Sequence, residues 1–268
     1  MALLPVPESY DFELSTERFH AFGPDPANLW HEDGLHRVVG GREVRIERAA
    51  GGVEVDPLDA GTRPVVEQLL GLPFDLDAFQ AFAASEPVLA DLVERLRGLR
   101  PPLAPDPFEA LVTSITAQQV SLFAAFAIRG RLIERFGERT GVAYSFPARE
   151  RLARARDEEL VEVGFSRRKA EYVLSLARSE LDLHVLAGLP DEEVKELIVA
   201  QRGLGEWTAD WFLARHLARP RAWPAGDLAL RKAAGHFYGD VDVRAVGARL
   251  DPFQNLAAHY LLVGLRYR

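Results

Sequence analysis

The sequence predicts a mainly α-helical protein with a small N-terminal α+β domain, and three features of the 268-residue chain indicate this class. Residues 1–60 combine β-forming side chains with glycine turns. Beyond Pro64 the apolar residues recur with the period of a helix. Residues 100–107, RPPLAPDP, carry four prolines, and a helix cannot continue through such a segment. We therefore expect a sheet domain, a first group of helices, a connector, and then further helices.

The β-rich start contains a hairpin signal. Two short apolar runs between Leu35 and Arg48 flank Gly40-Gly41, a dipeptide suited to a tight turn. Residues 43–46 then alternate polar and apolar side chains, which is typical of a half-buried strand. We place an N-terminal antiparallel β-sheet domain, with flanking helices, at residues 1–82.

The helical region is expected at residues 83–268, in two subdomains. Apolar side chains in helical register over residues 86–99 predict a helix just before the proline-rich connector. We assign residues 106–219 to one helical subdomain. Residues 83–105 and 220–268 together form the second, so the chain leaves this subdomain and returns to it.

Composition limits the chemistry available to the chain. It contains no cysteine, which excludes disulfides, thiolate nucleophiles, cysteine-ligated zinc and cysteine-ligated iron–sulfur clusters. No apolar run is long enough to span a membrane, and the first residues do not resemble a signal peptide. We therefore expect a soluble cytoplasmic protein with no membrane contact.

The net charge of −8 argues against a contact with nucleic acid over the whole surface. Positive charge is nevertheless concentrated in two places. Residues 212–232 contain five basic residues and one acidic residue, Asp227, and a second cluster is Arg167-Arg168-Lys169. On charge alone, solvated helix faces explain both clusters.

The helix that follows the connector contains a break. Its apolar stripe ends at Ile115 and resumes at Val120, and at about 100° per residue this step turns the stripe by roughly 140°. The slip falls at Gln118-Gln119, and Ser121 is suited to cap a new helix. Such a break either presents the glutamines outward or is a kink filled by packing, and the pattern leaves both open.

A tight connection between two helices follows further along the chain. Residues 191–199 predict a short helix, and residues 202–210, RGLGEWTAD, lead into a second one. Gly203 and Gly205 permit a turn with positive φ. The free N–H groups at the start of the second helix form a backbone site for a phosphate oxygen. A Gly-x-Gly turn is a weak signal by itself, because helix hairpins without a ligand are common.

Asp227 lies where another helix begins, after a bend set by Pro224 and Gly226. Aspartate is a preferred N-cap residue, so capping is the simplest account of this side chain. A catalytic role requires more. The hairpin upstream and the break at the glutamines must both lie close to Asp227 in the folded chain.

Together these segments resemble the helix-hairpin-helix DNA glycosylases of base excision repair, and within them the alkylation-repair type, 3-methyladenine DNA glycosylase II. In that family the hairpin is followed by a Gly/Pro-rich loop that ends in a catalytic aspartate. The resemblance covers roughly residues 106–232. Four motifs in family order carry it: ITAQQVS (115–121), GFSRRKAEYVLSLA (164–177), GLGEWTADWFLAR (203–215) and PAGDLALRKA (224–233).

The resemblance implies the helix-hairpin-helix glycosylase fold and an activity. Such an enzyme flips a damaged base out of double-stranded DNA and hydrolyses its N-glycosidic bond, as a monomer and without a catalytic cofactor. Asp227 falls on the catalytic aspartate. Gln119 falls on the residue that wedges into the gap left by the flipped base, and Gln118 lies beside it.

The resemblance also assigns the backbone of the hairpin. The positions that bind a DNA phosphate are Gly203, Gly205 and Thr208. In relatives, backbone carbonyls near that phosphate hold a structural monovalent cation. The matching residues here are Val199, Gln201 and Leu204.

Trp207 occupies the position where bifunctional relatives carry a lysine that forms a Schiff base with the sugar. An indole cannot do this, so the resemblance implies a monofunctional enzyme that uses water. Trp207 and Trp211 either wall the base pocket, where aromatic faces stack on an alkylated purine, or lie in the core. Phe253 is a third pocket candidate. Phe253-Gln254 stand where relatives often have Trp-Arg, a change that would alter which lesion fits.

Several readings of the function remain open at the level of sequence. Alkylated bases of the 3-methyladenine and 7-methylguanine type are the expected substrates, and a glycosylase for deaminated or oxidised bases is an alternative. A helix-hairpin-helix module that binds DNA without catalysis would use the same hairpin, with Asp227 as a cap only. A bifunctional glycosylase/lyase is opposed by Trp207, and an interaction protein with no nucleic-acid role completes the set.

Overall fold

The computed structural model describes residues 2–267 and confirms a mainly α-helical protein with an N-terminal antiparallel sheet. The sheet has the order β1-β5-β4-β3-β2, and each neighbouring pair is antiparallel. Its strands are β1 (Ala2–Pro5), β2 (Leu29–His31), β3 (Gly34–Val39), β4 (Arg42–Ala49) and β5 (Gly52–Asp56). A short ribbon of β6 (Arg139–Thr140) and β7 (Ala143–Tyr144) lies within the helical region.

The predicted hairpin joins β3 to β4. Val39 pairs with Arg42, so Gly40-Gly41 forms a two-residue loop, with φ values of 55° and 74°. Both values lie in the left-handed region, which glycine adopts without a steric penalty. The alternation along β4 buries Val44 and Ile46 completely, so this face of the sheet covers the N-terminal core.

The helices follow the sequence pattern closely. They are α1 (Phe12–Thr16), α2 (Arg63–Leu69), α3 (Leu76–Ala83), α4 (Pro87–Arg95), α5 (Pro107–Ala117), α6 (Leu122–Phe136), α7 (Arg149–Ala153), α8 (Asp157–Glu162), α9 (Arg167–Arg178), α10 (Asp191–Val199), α11 (Glu206–Arg215), α12 (Leu228–Tyr238), α13 (Val243–Arg249) and α14 (Gln254–Gly264). Single 3₁₀ segments span Glu17–Phe19 and Leu183–Gly188. None of the helices within residues 2–267 is long and apolar enough to cross a membrane.

Two hydrophobic cores divide the helical region. One is built by α5 to α11, and the other by α3, α4 and α12 to α14. Helix α3 therefore packs with the second helical core, where Phe79 contacts the ring of Tyr260 at 5.0 Å between centroids. The sheet core ends at Leu70, ahead of the predicted domain boundary at residue 82. The sequence shows that α3 is amphipathic, but not which partner covers its apolar face.

A buried cluster of charges joins the sheet to α5 and α6. Arg37 of β3 contacts Glu109 at 2.6 Å, and Arg129 of α6 contacts the other Glu109 oxygen at 2.7 Å. Asp25 is a second acceptor for Arg129, at 3.2 Å. Burial alone would raise the pKa of Glu109, but the two guanidinium groups outweigh it and lower this pKa to about 2. The carboxylate is therefore ionised at neutral pH in the folded protein.

Candidate active site

Asp227 is the N-cap of α12, as its position after the Pro-Gly bend predicts. A turn forms because the Asp227 N–H donates to the carbonyl of Pro224 at 2.8 Å. The carboxylate then accepts from the first free amides of the helix: Oδ1 lies 2.8 Å from the N of Ala229 and 2.9 Å from the N of Leu230. Only one carboxylate oxygen is used in capping.

The second oxygen of Asp227 accepts from two tryptophans. Nε1 of Trp207 and Nε1 of Trp211 each lie 3.0 Å from Oδ2. The two residues are four apart on α11, so their side chains lie on one face of the helix. A carboxylate has about four lone-pair positions, and here four N–H donors occupy them. The result is a half-buried anion held in one orientation by α11 and α12.

Trp211 is almost fully enclosed, with 4% of its surface exposed, whereas Trp207 is half-buried. Cζ of Arg215 lies 3.6 Å from the centroid of the Trp211 ring, so a guanidinium covers one face of this indole. The ring of His259, from α14, meets Trp211 edge-on at 6.1 Å. Of the two tryptophans predicted to wall a base pocket, Trp207 is thus the accessible one.

Arg215 and His259 were missed by the sequence analysis. Burial lowers the pKa of Arg215 well below its ordinary value, and burial together with the charge of Arg215 lowers the pKa of His259. The imidazole is therefore neutral at pH 7. The i, i+4 spacing of Trp211 and Arg215 on α11 is a signal that could have revealed the first contact, but nothing local to residue 259 indicates the second.

Phe253 does not join this group. Its ring packs against Phe82 at 5.2 Å and against Phe79 at 5.9 Å, both on α3. The side chain belongs to the second helical core. Its neighbour Asn255 is fully buried and donates to the carbonyls of Ala214 and Arg219, both at 3.0 Å. The predicted pocket role of Phe253 has no contact with Asp227 to support it, and the segment instead fixes the end of α11.

The hairpin connects α10 to α11 as predicted. Gly203 has a φ of 84°, and a Cβ atom there would lie 2.1 Å from the ring of Tyr172. Glycine is therefore required by backbone and by packing. Gly205 differs: its φ is −129°, and an added Cβ would meet no atom within 4 Å. Neither backbone conformation nor packing within the protein therefore requires glycine at position 205, which lies on the exposed side of the hairpin.

The amides at the start of α11 are partly free. From residues 2–267, the N–H groups of Gly205, Glu206 and Trp207 have no backbone or side-chain acceptor. The Thr208 N–H donates to the carbonyl of Gly205 at 2.9 Å, and Thr208 is 1% exposed. The hairpin thus offers unpaired amides at three positions, but the buried Thr208 is not one of them.

The break in the helix is confirmed: α5 ends at Ala117, and Ser121 caps α6 through the N of Ala124 at 3.2 Å. The side chains of the two glutamines have different environments at this break. Nε2 of Gln118 donates to the carbonyl of Gly203 at 3.0 Å, so this side chain is tied to the hairpin. The backbone of Gln119 has a φ of 54°, and its side chain is exposed. Only Gln119 is placed outward.

The exposed loop carries apolar side chains next to Gln119. Three residues have large exposed fractions, 40%, 43% and 65%: Val120, Leu122 and Phe123. Leu228, the residue after Asp227, is 72% exposed. Since Gln118 reaches Gly203, and Trp207 reaches Asp227, the loop, the hairpin and the carboxylate lie together on one side of the molecule. This is the juxtaposition that a catalytic role for Asp227 requires.

The basic cluster at residues 212–232 is largely engaged in structure. Arg219 pairs with Asp191 at 3.1 Å, and Arg221 pairs with Asp251 at 2.8 Å. Arg231 donates to a backbone carbonyl at 3.0 Å. In the other cluster, Lys169 donates to the carbonyl of Thr116 at 2.9 Å and fixes the end of α5. These basic side chains mainly hold helices and loops in place through ion pairs and hydrogen bonds within the protein.

The fold and this group of residues define a helix-hairpin-helix protein with a fixed carboxylate beside an exposed loop. The family described as HhH-GPD superfamily base excision DNA repair protein matches residues 112–246, half of the chain. The chain therefore belongs to the HhH-GPD superfamily.

Individual relatives agree with this assignment. A DNA-3-methyladenine glycosylase of Bacillus subtilis is 32% identical over 173 residues, which are 62% of this chain and 57% of that protein. The solved structure of a 3-methyladenine DNA glycosylase from Archaeoglobus fulgidus has a TM-score of 0.91 at 26% identity, over 100% of this chain and 99% of the other. A 3-methyladenine DNA glycosylase of Schizosaccharomyces pombe in complex with abasic DNA gives 0.57 at 26% identity, over 67% and 92%. The matched region spans just over half the length of the Bacillus relative.

Proposed function

We propose that this protein is a monofunctional DNA glycosylase of base excision repair that removes damaged bases, alkylated purines among them, from double-stranded DNA. One observation carries the proposal. The carboxylate of Asp227 is held by four N–H donors, next to an exposed hairpin and an exposed loop. A cap needs only one of the two oxygens, so capping does not account for the two indoles that hold the other.

The chemistry follows from the charge of the reacting sugar. Breaking an N-glycosidic bond builds positive charge on the deoxyribose, and a fixed negative charge beside it lowers the energy of that state. Because the lone pairs of Asp227 are occupied, the carboxylate is better suited to electrostatic stabilisation than to taking a proton from water. A methylated purine that is already cationic leaves readily, so no general acid is needed.

Trp207 supports the monofunctional form of the reaction. Its indole nitrogen lies 3.0 Å from Asp227, where a lysine in a bifunctional enzyme would present its amine to the same sugar. An indole N–H cannot form a Schiff base, so water is the nucleophile. Borohydride trapping of a covalent complex with DNA would contradict this assignment.

Recognition of the duplex is assigned to the hairpin and to Gln119. The free amides from Gly205 to Trp207 suit a phosphate oxygen, and they need no basic side chain on an acidic protein. Gln119 is exposed in the connection between α5 and α6 and suits the gap that a flipped base leaves in the stack. The S. pombe relative, which is bound to abasic DNA, supports this class of partner.

A structural cation at the hairpin is part of the proposal. The carbonyls of Val199 and Leu204 accept no hydrogen bond from the described part of the chain, and that of Gln201 accepts one, from the Leu204 N–H at 3.1 Å. Neutral carbonyl oxygens suit a hard monovalent cation. No set of three acidic or histidine side chains within residues 2–267 is arranged as a metal site. The ion would neutralise phosphate charge and take no part in the reaction.

The test is base release from defined duplexes. Oligonucleotides with a single 3-methyladenine, 7-methylguanine or hypoxanthine are incubated with the wild type and with Asp227→Asn, and abasic sites are measured. We expect the wild type to release at least one alkylated base, and Asp227→Asn to bind the same DNA without releasing it. Binding without release by the wild type would support a non-catalytic DNA-binding module instead.

A further inference from the structure

The basic cluster Arg167-Arg168-Lys169 lies at the start of α9, and its members differ in their surroundings. Lys169 is half-buried and donates to the carbonyl of Thr116 at 2.9 Å. Arg167 and Arg168 are exposed, and neither forms an ion pair with any residue between 2 and 267. Two cations of this cluster therefore remain unpaired, on a protein with a net charge of −8.

Two contacts place the start of α9 between the hairpin and the loop that carries Gln119. On one side, the ring of Tyr172 occupies the space into which a side chain at Gly203 would point. On the other side, Lys169 reaches the carbonyl of Thr116, three residues before Gln119. Residues 168–172 are therefore packed between the two elements to which the proposed function assigns contact with DNA.

Arg168 is held over the ring of Tyr172, which lies one turn further along α9. Its Nε donates to the Tyr172 hydroxyl, and its Cζ lies 5.7 Å from the centroid of the ring. These contacts use one N–H group and one side of the guanidinium. The N–H groups of the two terminal nitrogens have no acceptor among the residues that the structure describes. A guanidinium with both terminal nitrogens free matches two oxygens of one phosphate.

Arg202, in the hairpin itself, differs from Arg168 in its partner. Its guanidinium pairs with Glu171 at 2.6 Å, so a carboxylate already neutralises its charge. To bind a phosphate, Arg202 would have to give up this ion pair. Arg168 has no carboxylate to release, so a phosphate at this place would add an ion pair without breaking one.

We propose that Arg168 binds a phosphate of the DNA backbone next to the hairpin and forms a second anchor for the duplex. The inference rests on the proposed function and adds a charged contact to its binding surface. The hairpin amides orient a phosphate but carry no net charge, whereas an arginine at a phosphate releases condensed counterions. The contact adds affinity that depends on salt and not on base sequence. Arg168 therefore acts on binding and not on the breaking of the glycosidic bond.

The experiment measures affinity for an undamaged duplex by fluorescence anisotropy at several salt concentrations, and single-turnover release from a 7-methylguanine duplex with all the DNA bound. One phosphate contact contributes about −0.9 to the slope of log K against log salt. Arg168→Gln should make this slope about 0.9 less steep, so that its loss of affinity shrinks about 3–4-fold between 50 and 200 mM salt. The release rate of bound DNA should stay at the wild-type value. Arg168→Lys keeps the charge and should keep the slope.

Arg154→Gln is the matched control, because Arg154 is also exposed and forms no ion pair within the described range 2–267. Arg154 follows α7, which packs against the other end of α9, where Arg178 donates to the carbonyl of Ala153 at 2.9 Å. Helix α9 has 12 residues and is about 18 Å long, so this variant removes the same charge away from the hairpin. Its salt slope should equal that of the wild type.

Replacing single phosphates by neutral methylphosphonates identifies the partner of Arg168. At one position next to the hairpin contact, the wild type should lose affinity, whereas Arg168→Gln should lose none. The two changes remove the same ion pair, so their effects on affinity should not add. Additive losses at every position would mean that Arg168 binds no phosphate.

An unchanged salt slope in Arg168→Gln would overturn the inference. So would an equal change of slope in Arg154→Gln, because the charge would then act without a contact. Wild-type affinity with slower release of bound 7-methylguanine would assign Arg168 to a base, and would overturn the inference as well. A wild type that binds no duplex DNA even at low salt refutes the proposed function and the inference with it. If the wild type binds DNA but releases no base, catalysis is refuted, and the salt slopes still decide the inference.

Discussion

Replacing Asp227 by asparagine tests the site most directly, because all four groups around the carboxylate are hydrogen-bond donors and offer no acceptor to an amide NH₂ group. An asparagine has one acceptor oxygen and one NH₂ group. If the oxygen caps α12, the NH₂ faces the indole N–H groups of Trp207 and Trp211, each now 3.0 Å from another donor. If the amide flips, it faces the amides of Ala229 and Leu230 instead. Either orientation leaves two donors without an acceptor.

The size of the effect follows from burial. An unsatisfied buried donor costs about 1–3 kcal/mol. Trp211 is 4% exposed and bears this penalty in full, whereas the half-buried Trp207 regains part of its hydrogen bonding from water. We therefore expect Asp227→Asn to lower the free energy of unfolding by about 2–4 kcal/mol. A loss near 3 kcal/mol corresponds to a decrease in Tm of roughly 6–12 °C.

The assay combines thermal unfolding, followed by circular dichroism, with base release from a duplex that contains 7-methylguanine. Release should fall by more than about 10²-fold at temperatures where the variant is folded. A double-mutant cycle isolates the contact: in a Trp207→Phe background one of the competing donors is gone, so Asp227→Asn should cost about 1 kcal/mol less. An unchanged Tm with full excision would refute both the hydrogen-bond argument and the catalytic assignment.

The remaining predictions concern the hairpin, the loop and the domain junction. Gly203→Ala should lower Tm, because its Cβ would lie 2.1 Å from a tyrosine ring. Gly205→Ala should leave Tm unchanged and weaken binding to duplex DNA. Equal losses of DNA affinity in the two variants at equal Tm would contradict these different roles for the two glycines. Gln119→Ala should reduce base release with little change in Tm. Gln118→Ala should instead lower the free energy of unfolding by about 1 kcal/mol, because its hydrogen bond to Gly203 is lost. Identical thermal and kinetic profiles for the two variants would contradict separate roles. Glu109→Gln should destabilise the docked domains by about 3–5 kcal/mol, since the buried Arg37 loses its carboxylate partner and the buried Arg129 keeps only the carboxylate of Asp25. Because the folded pKa of Glu109 is about 2, below its ordinary 4.5, its contribution to stability is complete above pH 4.5 and is lost as the pH falls toward 2. Acid titrations of unfolding that superimpose for wild type and variant would contradict this.

For several residues to which the resemblance gives a role in the site, the structure shows where the side chain lies. Gln118 and Gln119 are adjacent in the chain, yet one is tied to the hairpin and the other is exposed. Phe253 packs on α3, and Thr208 is buried. In each case the residue type allowed the predicted role, but the direction of the side chain was decided by neighbours from a distant part of the chain.

Features that depend on a few consecutive residues were determined by the sequence alone. The turn at Gly40-Gly41, the break before Ser121 and the cap at Asp227 all arise from hydrogen bonds and backbone sterics within one turn of chain. Pattern and residue type are sufficient there, because the partner of each group lies within four residues.

The tertiary structure alone decided how these local pieces become a site. The second oxygen of Asp227 is held by indoles from α11, and the Trp211 ring is covered by Arg215 and met by His259 from α14. Such contacts depend on how helices pack across two hydrophobic cores, and packing responds to shape and burial over the whole chain. A local pattern fixes where a carboxylate sits on its own helix, but not which groups fold around it.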